Sequence, residues 1–251
     1  MAKVIQNFLL VIMLGCLNIP SDAQRPNTDR PFYIVSTDII SEGMEDQYLQ
    51  SRNALNAQME ETGFPHPFIL WKSNENQYHT WFSAIELIEV RSINKSWEPF
   101  RYGSSALESI WESVDTNYTS VLQINLDLTY EPTQPRLKDE EVQFCRLTQL
   151  YLKKGTKSIV ENLIKQLIAL FEDERISVSL YFGEGVYGYE SNLLFQWAFA
   201  RDEEDYLQLE DHLNLEYGIE YQSLRKQILS HVKKTEHRDF HYVPGLSYNP
   251  Y

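Results

Sequence analysis

A five-residue line occurs twice in this chain and constrains its fold more than any other feature. Leu128-Thr129-Tyr130-Glu131-Pro132 returns as Leu246-Ser247-Tyr248-Asn249-Pro250, 118 residues later. Between the copies other residues recur in order. Phe32, Val35, Ile40 and Gly43 fall on Phe144, Leu147, Leu152 and Gly155 at a spacing of 112. Asn76 and Trp81 fall on Asn192 and Trp197 at 116, and Ser105, Ile110 and Val114 on Ser223, Ile228 and Val232 at 118. The spacing drifts by 118 − 112 = 6 residues, as two copies of one unit with small loop insertions would show.

Each copy reads the same way. Residues 32–40 are rich in β-branched side chains and predict a strand. Gly43 breaks it, and Met44, Tyr48, Leu55 and Met59 form one stripe of a helix. Strands at 68–71 and 78–84 flank Asn74-Glu75-Asn76. Residues 86–115 read as helix in two pieces, interrupted near Pro99 and Gly103, and 119–128 as a strand. The second copy gives a strand over 144–152 and a helix carrying Ile159 to Phe171. Strands over 176–182 and 193–200 flank a flexible Gly-rich hairpin, 183–188. A closing helix runs through Leu224 to Val232, before a strand over 237–243. Strand-helix-strand-strand-helix-strand is the ferredoxin-like order, with helices on one face of an antiparallel sheet. The expected fold class is therefore α+β, two ferredoxin-like repeats whose sheets pack into a pseudo-dimeric α+β barrel. The expected division is a signal peptide (1–23), a leader (24–31), a first repeat (32–132), a linker (133–142) and a second repeat (143–251).

In element order and in its two closing motifs, the stretch from about residue 32 to 250 resembles the dimeric α+β-barrel superfamily, with its antibiotic-biosynthesis-monooxygenase-like and NIPSNAP-like domains. It looks like a tandem version. The resemblance implies a fold; that group spans oxygenases, isomerases and proteins of unknown role, so it implies no one activity. No catalytic motif of the group falls on particular residues here.

The first 23 residues read as an export signal: Lys3, then the apolar run Phe8 to Leu14, then Ser21-Asp22-Ala23 before a cut at Gln24. Met13-Leu14-Gly15-Cys16 is the rival, a lipobox that would place a lipid anchor on Cys16. The expected location is thus periplasmic or secreted, as a free or lipidated protein, with no membrane span in the mature chain. Cleavage before Gln24 leaves Cys145 as the remaining cysteine, without a disulfide; its apolar run predicts a buried, inert thiol. The net charge of −14 disfavours nucleic acid and anionic membranes as partners. Asn94 and Asn117 open glycosylation triplets.

Candidate chemistry comes from comparing the last strand of each copy. In copy one Leu122, Ile124 and Leu126 alternate with Thr119, Gln123 and Asn125. Setting the apolar face against the helices puts the polar face inside the barrel. The 118 spacing then carries His237, Asp239 and His241 to the same interior face. His-x-Asp-x-His can supply an acid/base pair oriented by a carboxylate, or ligate a metal, although no metal is assigned; solvated residues at a frayed edge are the plain alternative. Trp81 and Trp197 hold equivalent positions, and His79 shares the face of Trp81. These three are candidate ligand contacts, set against simple core packing. Tyr130 and Tyr248 are expected to end their strands and pin the exit loops. Gly183 to Gly188 is not a phosphate loop, because a strand and not a helix follows it.

Three functions compete: an exported barrel binding a small, partly apolar molecule between its sheets; an oxygenase- or isomerase-type enzyme using His237, Asp239 or His241; and a non-catalytic envelope or interaction protein. No cofactor is named by the sequence.

Overall fold

The computed structural model describes residues 31–73, 76–84, 92–93, 95–101 and 103–250. The expected signal peptide, nearly all of the leader, Cys16 and Asn94 lie outside the described residues.

Eight antiparallel strands close into a barrel. They are β1 (Phe32–Ile40), β2 (Ile69–Ser73), β3 (Gln77–Ala84), β4 (Val114–Ile124), β5 (Phe144–Leu152), β6 (Tyr181–Tyr187), β7 (Leu193–Ala200) and β8 (Val232–Tyr242). Their order around the barrel is β1-β3-β2-β8-β5-β7-β6-β4. Each half contributes the same arrangement, β4-β1-β3-β2 and β8-β5-β7-β6, so both repeats build one closed sheet. Two seams join them: Trp71 to Ser73 pair with Tyr242 to Phe240, and Val121 to Ile124 pair with Tyr187 to Gly183. Closure leaves neither half with an unpaired edge.

The helices lie outside. Those with described bounds are α1 (Glu45–Thr62), α2 (Glu98–Arg101), α3 (Ser105–Ser113), α4 (Lys157–Asp173), α5 (Glu203–Glu216) and α6 (Gly218–Ser230). The repeat spacing holds in detail: Gly43 and Gly155 precede α1 and α4 with φ of 76° and 77°. Three apolar layers result. Tyr48, Leu55 and Met59 of α1 pack on Phe32, Ile34, Leu70 and Phe82. Val160, Ile164, Leu167 and Phe171 of α4 pack on Leu150, Leu152, Phe182 and Leu194. Between the half-sheets, Val35, Trp71, Trp81, Leu122, Leu147, Phe195, Trp197 and Phe240 fill the barrel.

Several boundaries differ from the sequence expectation. β4 starts at Val114, directly after α3, because Val114 pairs with Ile40 of β1 and the sheet outcompetes helix propensity. The expected strand over 176–182 begins at Tyr181, and Gly183 and Gly185 belong to it and not to a flexible hairpin. These glycines face inward: a Cβ on Gly183 would lie 2.8 Å from the Trp197 ring, and one on Gly185 2.4 Å from Tyr189. Their bareness makes room for rings. The closing helix is α6, which ends at Ser230, and α5 precedes it across Tyr217; Val232 opens β8 instead of ending the helix.

The closing motifs do more than end strands. Each crosses to the other repeat. Tyr248, at the end of the second repeat, donates its hydroxyl to the Phe64 carbonyl at 3.0 Å, beyond α1 of the first. Tyr130, at the end of the first, donates to the Ile176 carbonyl at 2.9 Å, beyond α4 of the second.

Candidate functional site

In β1, β3, β5 and β7 the odd-numbered residues, and in β8 the even-numbered ones, point into the barrel, as the membership of the central cluster shows. Trp81 and Trp197, at equivalent positions of the two repeats, are both buried inside. Trp81 lies against Tyr33, Trp71 and Phe240 at centroid distances of 5.9, 6.4 and 5.8 Å. His79 is also inside, 4.8 Å from the Phe240 ring, with Nδ1 2.9 Å from the Thr37 hydroxyl. The imidazole is 1% exposed. Burial, with the Arg238 charge as a lesser cause, pulls its pKa down to about 3, so it is neutral near pH 7.

Polar groups gather at one place in the interior. Ser120 and Tyr189 share a hydrogen bond of 2.8 Å, and Tyr151 donates to Glu236 at 2.7 Å and Gln149 at 3.1 Å. Burial first, then Glu236, raises the Tyr151 phenol to about 12. Arg238 pairs with Leu147 in register and so faces the same space, half-buried. Among the described residues it has no hydrogen-bond or ion-pair partner. Sequence reading missed Arg238 because it lies on the face that had been assigned to the helices.

That assignment is corrected by the structure. Leu122 and Ile124 point into the barrel, and Thr119 and Gln123 point out toward the helices; Leu126 lies beyond the strand in a half-exposed turn. His237, Asp239 and His241 follow Thr119 outward. The physical reason is that alternation shows which residues share a face and not which face is inward; on β8 the inner face itself carries the polar Glu236 and Arg238, so polarity does not tell the faces apart. Asp239 is held by Arg146 at 2.6 Å through both oxygens, and Arg146 lies 4.4 Å over the Tyr206 ring. His237 is exposed, its Nδ1 3.0 Å from the Thr148 hydroxyl, with its pKa lowered by partial burial and then by Arg146. His241 sits 5.5 Å from the Phe144 ring. The structure therefore places the three on one outer face, not around an interior site. Among the described residues no His, Cys, Asp and Glu group has metal-holding geometry. Cys145 is buried, and burial, then Asp239, pushes its thiol well above the ordinary range.

No protein-family model matches the chain, and no curated protein matches it in sequence. Solved structures do match. An anthrone oxidase-like protein aligns with a TM-score of 0.57 at 7% identity, over 86% of this chain and 92% of its own. A presumed monooxygenase from Lactobacillus acidophilus gives 0.53 at 11%, over 85% and 94%. Chlorite dismutase from Candidatus Nitrospira defluvii gives 0.53 at 7%, over 86% and 92%. This is the dimeric α+β-barrel fold. Identities this low establish the architecture of the barrel and leave its chemistry to its own residues. Among the described residues no helix is long and apolar enough to cross a membrane.

Proposed function

We propose that the chain binds a small, partly apolar molecule carrying hydrogen-bond acceptors, beside the polar groups of the inter-sheet space. One observation supports this most: His79 Nε2, Trp81 Nε1 and Trp197 Nε1 are buried in the barrel interior without partners among the described residues. A buried unmade hydrogen bond costs ~1–3 kcal/mol, and an apolar residue of similar shape would avoid it. The position equivalent to His79 in the other repeat, Phe195, does avoid it. Aromatic filling of the barrel's middle keeps any ligand small and confines it to the polar groups near Arg238, whose positive charge favours an acidic head group. The test is a thermal-shift and tryptophan-fluorescence screen of small aromatic acids on the full chain. A saturable hit that is lost in Arg238→Gln and weakened in His79→Phe is expected. No hit, together with crystal density showing only water beside His79, would sink the reading.

A second reading, a non-catalytic interaction protein, is favoured by Leu215 and Ile219, which are 84% and 91% exposed at the α5–α6 turn. It predicts concentration-dependent self-association in sedimentation experiments, abolished by Leu215→Lys/Ile219→Lys; an unchanging monomer would remove self-association as its basis. Export is proposed from the first 23 residues. A mature chain beginning at Gln24, or at lipid-modified Cys16, is expected by mass spectrometry, and an intact chain starting at Met1 in the cytoplasm would overturn it.

A further inference from the structure

A second polar island lies outside the barrel, between α1 and the first half-sheet. Thr80, Ser36 and Thr119 are register partners on β3, β1 and β4, so their hydroxyls form a row across the helix-side face. The next row is Tyr78, Asp38 and Asn117. Arg52 of α1 descends onto the first row and donates to Thr80 at 2.7 Å. Its guanidinium rests 5.5 Å from the Phe68 ring and 5.8 Å from the Tyr48 ring. Arg52 is 5% exposed, and its Nε is buried without a partner. Thr119 Oγ1 and Asn117 Oδ1 are likewise buried and unpartnered among the described residues.

Two comparisons within the molecule show how unusual this is. Three half-buried arginines sit on carboxylates, Arg136 on Asp205, Arg146 on Asp239 and Arg225 on Glu210, whereas Arg238 in the barrel does not among the described residues. Arg52 has no carboxylate within ion-pair reach among the described residues. Asp38, the buried acid of the same island, is instead occupied by the Tyr48 hydroxyl at 2.8 Å and by the Asn117 amide. Nor does the fold require the island. At the spacing of 112, Asp38, Tyr48 and Arg52 correspond to Leu150, Val160 and Ile164, which are buried in an apolar layer. The same helix-on-sheet contact is thus built once from hydrocarbon and once around a cation with no carboxylate in ion-pair reach among the described residues. Burying an unpaired charge is strongly unfavourable, so a buried cation calls for a counter-anion.

We propose that Arg52 anchors a small anion, a carboxylate or oxyanion group, which enters over the half-exposed Ser36 and Thr119. The guanidinium Nε–H and the Thr119 hydroxyl supply the donors left unused, and the Phe68 and Tyr48 rings wall the cation from water. The Arg52 site is separate from the inter-sheet space, since β1, β3 and β4 stand between them.

The experiment uses the full-length mature chain, with sodium benzoate and sodium phosphate as probes at matched ionic strength against sodium chloride. Binding is read by calorimetry and by the Arg52 Nε–H resonance. Saturable binding is expected with at least one probe, shifting that resonance. Arg52→Met, which imitates the apolar repeat, should bind at least tenfold more weakly while melting no lower than the parent. Arg52→Lys, which keeps the charge without the fork, should bind with intermediate affinity. Arg238→Gln should leave Arg52 binding unchanged, which separates this site from the inter-sheet one. Benzoate alone identifies a carboxylate ligand, and phosphate alone an oxyanion. If neither probe moves the Arg52 resonance, or if Arg52→Met binds as the parent does, the proposal is wrong.

Discussion

Tyr248 donates its hydroxyl to the backbone carbonyl of Phe64 at 3.0 Å, tying the end of the second repeat to the helix exit of the first. A second, longer bond of 3.4 Å reaches the Met59 carbonyl. Tyr130 mirrors both, reaching Ile176 at 2.9 Å and Phe171 at 3.2 Å. The two clasps staple the repeats together reciprocally, outside the β seams.

Removing either hydroxyl should therefore cost similar amounts. Tyr248→Phe and Tyr130→Phe are each expected to destabilise by ~1–2 kcal/mol, since buried carbonyls lose a donor. For a chain of this size ~1 kcal/mol lowers Tm by ~2–4 °C. The clasps share no partners, so the double variant should show the sum of the single losses in urea unfolding. Clear non-additivity would mean that the clasps are coupled through the barrel.

Gly183 admits no side chain. An added Cβ would lie 2.4 Å from the Gln123 carbonyl oxygen, backbone that cannot swing away. Gly183→Ala should destabilise by ~3 kcal/mol, at the upper end of overpacking costs. Its near-ultraviolet circular dichroism should change as Trp197 is displaced. Parental stability would show that the β4–β6 seam yields easily.

His79 should make the fold acid-sensitive. Its folded pKa, near 3, lies below the ordinary 6.5. Between those values the unfolded chain binds a proton that the folded chain refuses. Stability from this group thus falls as pH drops through 6.5, by up to ~1.4 kcal/mol per unit, and the loss levels off below about 3. The measurement is the Tm difference between the parent and His79→Phe over pH 3 to 7.5. The variant should gain relative stability as pH falls, and a pH-independent difference would contradict the buried neutral imidazole.

Breaking the Arg146–Asp239 pair should cost more than removing it. Both side chains are mostly buried, at 17% and 15% exposure. Arg146→Met strands the Asp239 carboxylate and should cost ~2–3 kcal/mol, whereas Arg146→Met/Asp239→Leu should recover much of the loss. Chemical denaturation of the single and double variants gives the coupling energy directly.

Much of the architecture was legible before any coordinates. The spacing of 112 placed Gly43 on Gly155, and both have the left-handed φ that starts their helices. Trp81 and Trp197 were recognised as equivalent and share the barrel interior. The face of β8 was not legible. Period-two alternation says which residues share a side, not which side is inward, and here both sides carry polar residues. His237, Asp239 and His241 were consequently turned inward when they point out, and Arg238 was passed over.

The chain by itself determined the repeated unit, its strand order and the pairing of equivalent residues, because these follow from local periodicity, turn residues and internal recurrence. Tertiary structure alone decided which strand faces fill the barrel, that each closing tyrosine crosses to the other repeat, and that among the described residues Arg52 and Arg238 have no carboxylate within ion-pair reach. Those outcomes depend on which distant groups meet once two half-sheets close on each other, and contacts across that closure leave no period in the sequence.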